Sequence, residues 1–93
     1  MSQVTASRSI VVSNRTGVHA RAATLIAEQA RQFADCQIEL IKDGQRVKAT
    51  DVLQILSLGA VPGVQIGLEA IGPRAEQALD ALVQLFSDPR FDE

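Results

Sequence analysis

Apolar residues recur at every second position in several short stretches of this chain and at every third or fourth in two longer ones. The first period predicts strands with one buried face, the second amphipathic helices. Ser9-Ile10-Val11-Val12 reads as a strand with Ile10 and Val12 pointing one way, broken by Asn14-Arg15-Thr16-Gly17. From His19 to about Phe33 the pattern turns helical: Ala23, Ile26, Ala27, Ala30 and Phe33 form one stripe, with Glu28, Gln29, Arg31 and Gln32 mostly outside it. Cys36, Ile38 and Leu40 then alternate, and Asp43-Gly44 predicts a tight hairpin turn because both central positions need positive φ. Val47 and Ala49 turn inward on the returning strand.

Thr50-Asp51 offers an N-cap to a short helix, Val52 to Leu58, closed by Gly59. That helix has more apolar residues than one stripe can bury. Ile55 and Leu58 can face the core, which leaves Val52, Leu53 and Leu56 at least partly exposed as a candidate contact surface. Val64, Ile66, Leu68 and Ala70 alternate as a fourth strand. Gly72-Pro73 opens the last helix, whose stripe is Ala75, Ala78, Leu79, Leu82, Val83 and Phe86. Ser87-Asp88-Pro89 ends it, leaving Arg90-Phe91-Asp92-Glu93 as a short tail. The order is βαββαβα, an α+β chain with a small antiparallel sheet covered by helices on one face and open to water on the other.

Length and composition narrow the function. Ninety-three residues, 46% of them apolar, suit one domain spanning 1–93 with a single core. Nine basic against eleven acidic residues, with three Phe and no Trp or Tyr, give no basic face or stacking platform for nucleic acid. The lone Cys36 cannot form an internal disulfide, and its alternation with Ile38 and Leu40 reads as a buried structural thiol. The N-terminal stretch has no basic n-region or apolar h-region, and no apolar run reaches membrane-spanning length. A cytoplasmic protein without membrane insertion is expected. No Cys/His pair or histidine cluster has metal-ligand spacing, and no cofactor is expected.

The one histidine, His19, stands where a loop turns into a helix, in Thr16-Gly17-Val18-His19-Ala20-Arg21. The free N–H groups of a first helical turn favour an anion, and Arg21 would add a fixed charge and a hydrogen-bonding fork for phosphate oxygens. The same dipole disfavours imidazolium, leaving a ring with a free lone pair. That setting suits a nucleophile before reaction and a dianionic product after it. Read alone, however, such a histidine also fits a surface or capping residue, Gly17 a plain turn, and Arg21 a solvated helix position.

Gly17-Val18-His19-Ala20-Arg21-Ala22-Ala23 resembles the active-site segment of the histidine-containing phosphocarrier proteins (HPr family) of the phosphoenolpyruvate-dependent phosphotransferase system. The likeness covers nearly the whole chain: Asp43-Gly44-Gln45-Arg46-Val47, Ala49-Thr50-Asp51-Val52-Leu53, Ile55-Leu56-Ser57-Leu58-Gly59, Gly72-Pro73, Ala78-Leu79 and Ala81-Leu82. The resemblance implies an open-faced β-sandwich, with a four-stranded antiparallel sheet and three helices on one face. It also implies a transient phosphohistidine, in a carrier without turnover of its own. His19 would be phosphorylated on Nδ1 by the system's first enzyme, which draws on phosphoenolpyruvate. Arg21 would contact the phosphoryl group, and Val52, Leu53 and Leu56 would coincide with the family's docking surface. Downstream sugar-specific or regulatory phosphoacceptors would be further partners of what is expected to be a monomer.

Two positions depart from the family. Ala22 replaces the usual proline three residues after the histidine, which restores an N–H in the first turn. Asp51 stands where many members carry a serine phosphorylated by a dedicated kinase. Its plainer role is an N-cap carboxylate, and imitation of the modified serine is compatible with that role. Beside sugar transport stands a second reading, a regulatory carrier of the nitrogen-related branch, which the Gly72-Pro73 and Leu85-Phe86 … Phe91-Asp92-Glu93 segments somewhat resemble. A third is a small-ligand-binding α+β domain that shares only the topology.

Overall fold

The computed structural model describes residues 4–92, so Met1, Ser2, Gln3 and Glu93 lie outside the account. Four strands and three helices follow one another as β1 (Thr5–Val11), α1 (Ala20–Arg31), β2 (Gln37–Lys42), β3 (Gln45–Lys48), α2 (Val52–Ser57), β4 (Gln65–Ile71) and α3 (Ala75–Leu85). A one-turn 3-10 helix, Pro89–Asp92, closes the described chain. The strands form one antiparallel sheet in the order β1-β4-β2-β3. The order βαββαβα stands as the periodicity predicts.

The period-2 pattern decides which face is buried. Ala6, Val12, Ile38, Leu40, Val47, Ile66, Leu68 and Ala70 turn toward the helices, which contribute Ala23, Ile26, Ala27, Ala30, Ile55, Leu79 and Leu82 to the same core. On the open face Glu39 and Glu69 stand directly opposite each other, a costly pairing of like charges on its own. Arg46 from β3 bridges them, 3.0 Å from Glu39 and 2.7 Å from Glu69. Its guanidinium lowers the Glu69 carboxyl below its ordinary range. Both residues of the β2–β3 turn have positive φ, 51° at Asp43 and 82° at Gly44.

Several boundaries move from the expectation, each because pairing or packing outweighs a weak local pattern. β1 starts at Thr5 rather than Ser9: Thr5 to Arg8 carry little apolar signal, yet they pair with Leu68 to Ile71 and bury Ala6. α1 stops at Arg31, and Phe33 lies half-buried beyond it, under the guanidinium of Arg74 at 4.8 Å. Pro73 precedes the N-cap Arg74 instead of opening α3, and Leu85 is buried where Val83 is only half-buried. Cys36 is half-buried rather than buried, just ahead of β2. The largest correction concerns the tail. Phe91 is fully buried, its ring 4.8 Å from that of Phe86.

Candidate functional site

The loop between β1 and α1 is shaped by one glycine. Gly17 has φ of +69°, and a Cβ there would lie 2.7 Å from the carbonyl oxygen of Ala60. Any side chain would therefore be strained in conformation and blocked in space. The approach lets the Val18 N–H donate to the same Ala60 oxygen at 2.8 Å, fastening the loop to the segment before β4.

His19 is the N-cap of α1, in an extended conformation (φ −95°, ψ −175°), and its side chain makes no capping bond. The first intrahelical bond runs from the Ala23 N–H to the His19 carbonyl at 2.8 Å. The N–H groups of Ala20, Arg21 and Ala22 consequently have no acceptor within the helix. Ala22, buried within the first turn, keeps the donor that a proline would remove.

The half-buried ring is held from another direction. His19 Nε2 lies 3.1 Å from the carbonyl oxygen of Phe91. A carbonyl only accepts, so Nε2 carries the proton, and in the neutral ring the lone pair resides on Nδ1. The turn that delivers this carbonyl is anchored by the buried Phe91 ring and by Asp92, whose Oδ1 accepts from the Arg15 N–H at 2.9 Å. Phe91 is the site residue that the sequence pattern missed. Its signal is slight, a single phenylalanine after Pro89 in an otherwise polar ending.

Arg21 sits exposed in the same first turn of α1. Residues two apart in sequence at a helix start point in different directions, so this long side chain leaves α1 on a different side from the His19 ring. α2 packs beside α1. Asp51 caps it, accepting from the Gln54 N–H at 3.1 Å, and Lys42 Nζ donates to the Leu58 carbonyl at 3.0 Å at the other end. Ile55 and Leu58 are buried, Val52 and Leu56 half-buried, and Leu53 is 78% exposed. The apolar surplus of this helix thus reaches the surface as expected.

Residues 6–88 match the family described as the PTS HPr component phosphorylation site. This chain belongs to the HPr family. It is 37% identical over 86 residues to the phosphocarrier protein HPr of Treponema pallidum (strain Nichols), a match covering 92% of this chain and 96% of the relative. It is 36% identical over 91 residues to the phosphocarrier protein NPr of Escherichia coli (strain K12), covering 97% of this chain and 99% of the relative. Among solved structures, HPr-C-His from Thermoanaerobacter tengcongensis superposes with a TM-score of 0.86 at 38% identity, covering 95% of this chain and 97% of that one. The fold is that of HPr, and the protein is an HPr-family phosphocarrier of the phosphotransferase system. Among the described residues no helix is long and apolar enough to cross a membrane.

Proposed function

We propose that this HPr-family protein carries a phosphoryl group on Nδ1 of His19, received from the first enzyme of the phosphotransferase system and passed to downstream phosphoacceptors. The observation that carries the reading is the bond between His19 Nε2 and the Phe91 carbonyl, which leaves the lone pair on Nδ1. That lone pair attacks phosphorus in line, the N–P bond forms, and the bond from phosphorus to the donor breaks. Reversal with an acceptor returns the free ring. The first-turn N–H groups of α1 and the Arg21 guanidinium stabilise the dianion. Val52, Leu53 and Leu56 serve as the docking surface for partners, contacted transiently by a cytoplasmic monomer. Asp51 works as a cap and occupies the counterpart of the family's regulatory serine.

The regulatory, nitrogen-related reading keeps the same chemistry and differs in the acceptor. Its support is the resemblance of the Gly72-Pro73 and Leu85-Phe86 … Phe91-Asp92-Glu93 segments to that branch, together with the similarity to the phosphocarrier protein NPr of Escherichia coli. Incubation with phosphoenolpyruvate and each of two first enzymes, one per branch, tests both readings. An acid-labile mass gain that His19→Ala abolishes supports the carrier, and the enzyme that transfers faster assigns the branch. A wild type that gains no mass with either enzyme, or equal labelling of His19→Ala, refutes the carrier.

A further inference from the structure

Asn14 lies in the loop after β1 with 6% of its surface exposed. Its Nδ2 group donates to the carbonyl oxygen of Gly17 at 2.8 Å. Across the same peptide unit, the Val18 N–H donates to the Ala60 carbonyl at 2.8 Å. A peptide unit is planar, so any rotation swings its oxygen and its N–H together. Bonding both ends therefore fixes the plane. Only Val18 separates that plane from His19.

The other end of the Asn14 amide does nothing comparable. Its Oδ1 is buried without a hydrogen-bond partner among the described residues. A buried side chain with one good bond and one orphaned acceptor is a poor choice for stability, because desolvation of the oxygen offsets the bond. What this side chain supplies is a donor at the Gly17 carbonyl.

We infer that Asn14 is a positioning residue for phosphoryl transfer: its amide sets the Gly17–Val18 peptide plane and, through it, the direction in which the His19 ring meets Phe91. The kinetic half of this inference rests on the carrier reading; the geometric half does not.

Asn14→Asp keeps the shape but turns an acceptor toward the Gly17 carbonyl, and Asn14→Ala removes the group and serves as the second variant should the first not fold. In folded variants, checked by amide spectra as dispersed as wild type, the His19 ring-nitrogen shifts should move away from the pure Nε2–H form. Transfer at saturating phosphorylated first enzyme should fall at least tenfold, with KM for that enzyme within twofold because the docking residues are untouched. Wild-type ring shifts and turnover in a variant that has merely become less stable would overturn the role, as would a change confined to KM. Were the wild type itself to take no label, the carrier reading would fall and the ring shifts alone would decide the role of Asn14.

Discussion

The ring of His19 and the main chain of Phe91, seventy-two residues further on, meet in a single 3.1 Å contact between Nε2 and the carbonyl oxygen. The contact makes the ring's two nitrogens unequal: Nε2 donates to the protein, and in the neutral ring Nδ1 holds the lone pair. It depends on a buried anchor. Phe91→Ala should lower the unfolding free energy by about 3–5 kcal/mol in urea titrations. It should also return His19 to a mixture of tautomers in ring-nitrogen NMR. A ring that keeps its tautomer in that variant sinks the lock.

Arg21→Ala tests the flank of the site. The residue is exposed, so its loss should change stability by no more than about 0.5 kcal/mol. A charge-assisted bond to the phosphoryl group is worth about 1.5–3 kcal/mol, so labelling of His19 should slow by roughly 10- to 100-fold. Labelling at the wild-type rate removes Arg21 from the reaction.

Opposite faces of α2 separate an exposed side chain from the core. Leu53, 78% exposed, can become glutamate with the fold intact, and KM for the first enzyme should rise. Ile55, 1% exposed, should cost about 2–5 kcal/mol on truncation to alanine. Unchanged KM for Leu53→Glu would detach this helix from partner contact.

Asp51 holds the first turn of α2 through the Gln54 N–H. Asp51→Ala should cost about 0.5–2 kcal/mol, while Asp51→Ser, which retains a capping oxygen, should cost less. Thermal melts of the two variants check the order. An alanine variant as stable as wild type would leave the carboxylate without a capping role.

Acid should weaken the open face of the sheet. Arg46 lowers the Glu69 carboxyl below its ordinary 4.5, so this group's contribution is fully present above that pH and is lost as pH falls through the depressed folded value. Asp35 beside Arg74, and Asp88 beside Arg90, shift in the same direction from 3.8. The groups are solvated and each contribution is small. Glu69→Gln should flatten the acid side of the stability curve below about pH 4.5. A curve as steep as wild type would assign the acid sensitivity elsewhere.

Local pattern was enough for much of this protein. The alternation at Ile38–Leu40 and Ile66–Ala70, the Asp43-Gly44 turn, the α1 stripe and the surplus of α2 are each consequences of residues close in sequence, and each was legible there. His19 and Arg21 were visible because a helix start can be read from its flanking residues. Other features needed distant partners. Thr5–Arg8 become strand only through pairing with β4, and the sequence of the ending does not say that Phe91 will find a pocket beside Phe86. The donor from Asn14 to Gly17 is local in sequence, but its meaning comes from Ala60, which holds the far side of the same peptide. The sequence by itself determined most of the elements and the place of His19 at a helix start, since periodicity and capping act within a few positions. Only the tertiary structure decided which nitrogen of His19 is tied to the protein, because the oxygen that decides it arrives from the other end of the chain.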